Sequence, residues 1–210
     1  MDEERFPTME DTINIVHRRG FRVALTIQPF IGTESTNFVD AVRQHLLVGS
    51  RGAGDFVPAL TRYKSLLSAG ALDITNPESV PWLQEKLKEL VRRYSMDGFF
   101  LDLGVAYDLP QYYEFKHGLT NPDHYKAKFT EAVQSVVTVL GVSSAIKRPR
   151  PPTFVTLPAV PSTWRGLQSI IPNILTYGVI GYPFVMPGAI GGDYVDTTFT
   201  EPVSVKSSPN

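Results

Sequence analysis

Four short apolar runs, separated by stretches of helical periodicity, constrain this chain more than anything else in it. They are Phe21–Ile27 (FRVALTI), Gly98–Leu103 (GFFLDL), Thr153–Leu157 (TFVTL) and a run within Gly178–Met186. The first two hold one charge each, Arg22 and Asp102. Runs this apolar predict strands covered on both faces, as in a parallel sheet, rather than strands with one wet face.

Helical patterns fill the intervals. Thr8 can cap a helix whose apolar positions are Met9, Ile13 and Val16, with Gly20 as its C′ stop. Asn76-Pro77 and Asn121-Pro122 both read as an N-cap followed by Pro at N1. Leu83, Leu87, Leu90, Val91 and Tyr94 share a face behind the first, and Pro81 moves the regular start toward Val80. Tyr125, Phe129, Val133, Val136 and Leu140 form a long stripe behind the second, closed by Gly141. Leu167, Ile170, Ile171, Ile174 and Leu175 give a further helix, kinked or split at Pro172. Residues 31–70 are rich in Gly and Ser, with weakly helical pieces such as Phe38–Val48. Helix and strand thus alternate, which predicts an α/β fold with about four parallel strands. A doubly wound sheet needs four or five strands. A closed eight-stranded barrel takes about 250 residues, so 210 residues with four visible strands show roughly half of one.

Composition narrows the function. Lys and Arg number 20 against 21 Asp and Glu, so no net field draws nucleic acid or anionic lipid. The absence of cysteine excludes disulfides, thiol catalysis and cysteine-ligated zinc. No apolar run reaches the roughly 18 residues of a membrane helix. The acidic start Met1–Arg5 has no apolar region behind it and is not a secretory signal. Membrane association would come only through segments outside this chain. His17, His45, His117 and His124 lack metal-ligand spacing and an obvious carboxylate partner, and read as surface histidines. No dinucleotide or Walker glycine pattern is present, so no metal or cofactor is expected. Lys147–Pro152 reads as a stiff, solvated basic connector.

Asp102 is the sharpest chemical signal. A carboxylate at the C-terminal end of an apolar parallel strand faces the end of the sheet where α/β barrels keep their catalytic groups. A buried charge without a partner costs several kcal/mol, so the position demands a reason. Two readings stand level: a catalytic carboxylate, or a cap on the following turn at Gly104. Asp97 reads as a turn residue before Gly98, and Asp73 as an organiser of the turn into the next helix. Trp82 falls on a helical core register. Trp164, in the loop after a strand, is open between core and sugar platform.

At Asp102 the chain resembles glycoside hydrolase family 31, the retaining α-glycosidases. Four segments carry the resemblance, in order. They are Gly20–Val23 through Gln28-Pro29-Phe30; Ala71–Glu78 (ALDITNPE); Asp97–Asp102 (DGFFLD); and Trp164–Leu167 through Pro172, followed by Gly181–Phe184 and Gly191-Gly192. The resemblance implies an incomplete (β/α)8 TIM-type barrel over residues 1–192, with residues 193–210 a tail unlike the family and expected to be disordered. It implies a carbohydrate or glycoside ligand, Asp102 as the nucleophile, and Gln28 and Trp164 as sugar-contacting positions. A second carboxyl group about 5–5.5 Å away should protonate the leaving oxygen and later activate water.

The chain departs from that pattern at the second carboxyl. Pro161 stands where it belongs, and no Arg precedes it nearby. Gln28 replaces a His, Gly188 an Asp, and Val105 a Glu of related chains. Asp108 and Asp193 would substitute as donors only if loops brought them close, and nothing in the sequence places them there. The matched segments begin inside the barrel and stop before its last strands, so the chain reads as a piece of a larger protein. Three readings follow. The first is a glycoside hydrolase by lineage with weak activity. The second is a dead relative that binds carbohydrate or a small anion, or acts as a scaffold. The third is an unrelated doubly wound domain with a flat sheet and helices on both faces.

Overall fold

The structure is a computed structural model and describes residues 4–53, 55–144 and 153–188. In chain order the elements are α1 (Met9–Arg18), β1 (Ala24–Ile27), β2 (Phe30–Gly32), α2 (Thr36–Arg43), β3 (Gly49–Ser50), β4 (Leu60–Tyr63) and β5 (Leu66–Ala71). There follow α3 (Ser79–Tyr94), β6 (Gly98–Leu101), a 3-10 turn (Ala106–Asp108), β7 (Tyr113–Glu114), α4 (Asp123–Gln134), β8 (Val139–Val142), β9 (Phe154–Thr156), α5 (Trp164–Val179) and β10 (Val185–Met186).

The main sheet has five parallel strands in the order β1-β6-β8-β9-β10. Each strand lies beside the next parallel strand along the chain. A doubly wound sheet reverses its strand order at a switch point; this one never does. That order is the one a (β/α)8 barrel uses, and the sheet makes up part of such a barrel. Four strands were expected and five are found. The extra strand, β8, lies inside the stripe read as the end of a long helix. The helix stops at Gln134, the β-branched residues Val136-Val137-Thr138 carry the chain out of it, and the strand begins at Val139. Gly141 sits in that strand, and a Cβ there would meet the Phe100 ring at 2.9 Å. At the other end, Gly178 and Val179 belong to α5 and not to the last strand, which is only Val185–Met186.

Burial follows position in the sheet. Phe99, Leu101, Val142 and Val155 are fully buried. The strand β1 was expected to be covered on both faces. It alternates instead, with Ala24 and Thr26 exposed, because it is an edge with one neighbour, β6. Helices α1, α3 and α4 pack on one another in sequence, and Leu87, Phe129 and Val133 join the core from α3 and α4.

The helix ends follow the local chemistry. Gly20 takes φ +83°, with its N–H on the His17 carbonyl and that of Phe21 on Val16, a complete Schellman stop for α1. Asn76 and Asn121 are not the N-caps expected, which are Glu78 and Pro122; each instead accepts the N–H two residues on, from Glu78 and Asp123, in the turn that leads into α3 and α4. Pro81 is the third residue of α3, where its missing N–H has no helical partner to lose. Pro172 neither splits nor ends α5. One side of α5 stays bare: Leu167, Ile171 and Leu175 are 54%, 64% and 65% exposed.

Residues 28–73 leave the C-terminal end of β1 and return to start α3. This excursion was expected to be mostly irregular with weak helix. It folds as a short helix, α2, and an antiparallel sheet in the order β2-β5-β4, with Phe30 paired to Ala71 and Leu60 to Gly70. It stands over the strand ends and supplies a hairpin, β4–β5, to the region of Asp102. The basic connector, Gly191-Gly192 and the tail from Asp193 lie outside the described residues.

Candidate active site

Asp102 follows β6 directly and is 6% exposed. Its N–H still bonds the Ile27 carbonyl, so it sits at the C-terminal edge of the parallel sheet. The turn behind it is pinned from two sides. Leu103 N–H donates to the Ser143 hydroxyl and Ser144 donates to the Gly104 carbonyl, both from the loop after β8. Val105 N–H donates to Asp108 Oδ2 at 2.7 Å. The cap on this turn is therefore Asp108, and the Asp102 carboxylate is left for other contacts.

Those contacts come from the hairpin. The Tyr63 hydroxyl donates to Asp102 Oδ1 at 2.8 Å, and the Lys64 ammonium pairs with Oδ2. Tyr63 is 4% exposed and stacks on Phe30 with ring centres 4.2 Å apart. Burial, and then the Asp102 carboxylate, hold its phenol well above the usual tyrosine range, so the hydroxyl keeps its proton and donates it to Asp102. Gly104, at φ +66°, lets the hairpin this close: a Cβ there would lie 3.1 Å from both the Tyr63 and the Phe30 rings. The acidic side chain of Asp108 also raises the Tyr63 phenol, so it lies near this cluster.

The other expected positions fare differently. Gln28 follows β1 as Asp102 follows β6, which makes them neighbours along the sheet edge. Gln28 lines a cavity of about 470 Å³ walled by Trp82, Leu87 and Phe129, in which Asp102 takes no part. Trp164 opens α5, where the Thr163 hydroxyl caps the helix at Gly166. It is 81% exposed, so it joins no core among the described residues. Trp82 packs half-buried against the core, as its register required. Pro161 lies exposed in a tight turn, its carbonyl accepting the Thr163 N–H at 2.7 Å. Gly188 takes φ +96°, a backbone region that an L side chain would enter only at a cost.

Two readings of acidic residues are settled by their partners. Asp73 does organise its turn: Oδ1 accepts from Thr75, and Oδ2 from Lys116 N–H at 2.7 Å. Asp97 does more than turn the chain. It binds Val23 N–H, Arg22 and His17 Nε2, the last at 2.9 Å, so His17 has a carboxylate partner that its sequence neighbours do not show. Tyr63 and Lys64 were not singled out in the sequence. Leu60-Thr61-Arg62-Tyr63 does not alternate apolar and polar residues, so no period of two marked this hairpin.

Comparison with known proteins agrees with this fold. Residues 1–147 match the family model described as the glycosyl hydrolases family 31 TIM-barrel domain. The myogenesis-regulating glycosidase of Mus musculus is 32% identical over 197 residues, covering 92% of this chain and 27% of the relative. The SITS-binding protein of Tetronarce californica is 30% identical over 187 residues, covering 85% of this chain and 26% of the relative. The chain thus spans about a quarter of the curated relatives it matches. Among solved structures, a family 31 sulfoquinovosidase from E. rectale, bound to an aza-sugar inhibitor, superposes with a TM-score of 0.73 at 19% identity. The overlap is 92% of this chain and 31% of that one. A cycloalternan-degrading enzyme from Trueperella pyogenes gives 0.72 at 18% identity, over 90% and 28%. A family model matched over two-thirds of the chain, on a sheet whose strands run in barrel order, shows that this chain belongs to glycoside hydrolase family 31.

Proposed function

We propose that this chain carries the nucleophile half of a retaining α-glycosidase site, with Asp102 as the nucleophile, and that it binds a glycoside while turning it over weakly. The observation that carries this reading is Asp102 itself. It is a buried carboxylate at the catalytic end of a barrel strand, released from bracing its own turn by Asp108, with Oδ1 and Oδ2 both held by donors. In the first step one Asp102 oxygen forms a bond to the anomeric carbon, and the bond from that carbon to the leaving oxygen breaks with its electron pair. Water then cleaves the glycosyl ester. Solved relatives support a sugar ligand, among them a family 31 α-xylosidase complexed with xylose.

The weak turnover follows from Pro161. A positioned general acid is worth roughly 10²–10⁴-fold. Without one, an ordinary alkoxide leaves slowly, whereas a nitrophenolate needs no proton. Asp108 is no ready substitute, since its Oδ2 is engaged by Val105 N–H. The same loss favours a second reading, a binding protein without turnover. Incubation of the full chain with nitrophenyl α-glucoside and α-galactoside, beside Asp102→Asn, separates the two. Release of nitrophenolate that vanishes in the variant supports the nucleophile. Equal rates in both proteins, or no release from either, leave only the binding reading.

A further inference from the structure

Asp102 depends on a hairpin that is foreign to the main sheet. Tyr63 ends β4 and Lys64 begins the turn to β5, yet both side chains reach the same carboxylate. Successive side chains of a strand point to opposite faces. Lys64 escapes that rule because its φ is +50°, a left-handed conformation that L residues enter at a cost. The hairpin is fixed where it reaches the site. Tyr63 stacks on Phe30, the Thr61 hydroxyl donates to the Asp108 carbonyl at 2.9 Å, and Gly104 leaves room for the rings.

A buried carboxylate needs compensation, and one donor would supply part of it. Two donors, one on each oxygen and from adjacent residues, do something further: they fix the plane of the carboxylate. The attacking oxygen of a nucleophile must be aligned with the bond that breaks, and rotation of the group forfeits that alignment. Its own strand β6, Gly-Phe-Phe-Leu, offers Asp102 no side-chain donor. Lys64 also differs from a buried counter-ion. Its side chain is 61% exposed, so it is held at the mouth of the site rather than sealed into the core.

We infer that Tyr63 and Lys64 are positioning residues for Asp102, and that the β4–β5 hairpin is part of the reaction machinery. This rests on Asp102 being the nucleophile. Tyr63 fixes Oδ1 through its hydroxyl, and Lys64 fixes Oδ2 through its ammonium, so the carboxylate presents one orientation to the anomeric carbon.

The test uses 5-fluoro-α-glycosyl fluorides of gluco, galacto and xylo configuration on the full chain. Attack by Asp102 forms the bond from Oδ to the anomeric carbon and expels fluoride with the electron pair, so no proton donor is required. Intact mass and peptide mapping follow the label with time and reagent concentration. Wild type gains one glycosyl group on Asp102, and Asp102→Asn gains none. In Tyr63→Phe and Lys64→Met the limiting labelling rate falls about 10–100-fold, the cost of a misaligned group. The half-saturating concentration stays within about twofold, because ground-state binding is untouched. Variants that label at the wild-type limiting rate, or lose only half-saturation, overturn the positioning role and leave the nucleophile standing. A wild type that takes no label on Asp102 overturns the nucleophile and the positioning role together.

Discussion

Asp102 keeps one place because groups from three segments hold its surroundings: Ile27 at the strand edge, Ser143 and Ser144 after β8, and the hairpin residues Tyr63 and Lys64. Gly104 is where these segments crowd most. It combines φ +66° with an ideal Cβ position 2.8 Å from Asp108 Oδ2. Gly104→Ala therefore meets strain and overlap at once, and is expected to cost more than about 1 kcal/mol, read from the urea midpoint. Part of this cluster was legible. A lone Asp at the end of an apolar run marks its position in any parallel sheet. Its partners were not legible, because Tyr63 and Lys64 lie 39 and 38 residues away in the chain. Nothing local ties a tyrosine in this segment to a distant carboxylate. The bracing role of Asp108 was hidden in the same way, since only the folded turn shows which of two nearby acids caps it.

At the scale of elements, the N-terminal ends of β1 and β6 are clamped to α1 by Asp97. Its carboxyl is held below the usual aspartate range, first by Val23 N–H and then by His17 and Arg22. A carboxylate lowered on folding contributes stability above its unfolded value, near about pH 4, and loses it as pH falls through the folded value. Acid titration of unfolding should accordingly show a shallower loss below about pH 4 for Asp97→Asn than for wild type. The elements that sequence revealed are those whose pattern is local: α1 with its Gly20 stop, α3 behind Asn76, and the buried β6. The helix ending in Leu140 was misread because Val133, Val136 and Leu140 fit a helical step equally well. The four consecutive β-branched residues Val136 to Val139 weaken the helical pattern there, and the last of them opens the strand. The sheet β2-β5-β4 escaped notice because β2 has only three residues and β5, Leu-Leu-Ser-Ala-Gly-Ala, holds no β-branched or aromatic residue. Its pairing of Phe30 with Ala71 spans the whole excursion.

At the scale of the whole molecule, the apolar surface is unevenly covered. Phe129 on α4 is 1% exposed, while Ile171 on α5 is 64% exposed. Phe129→Ala is expected to cost about 3–5 kcal/mol in urea denaturation. Ile171→Ser should change the same midpoint by no more than about 0.5 kcal/mol. The sheet that joins these two helices adds its strands one beside the next. That arrangement bears on how the protein is made. A ribosome delivers the chain from its N-terminus, and each new parallel strand finds its partner already waiting at the open edge. The hairpin bearing Tyr63 and Lys64 emerges before Asp102 does, so both donors are already synthesised when the carboxylate arrives. The receptor, in this sense, is translated ahead of the charge it receives.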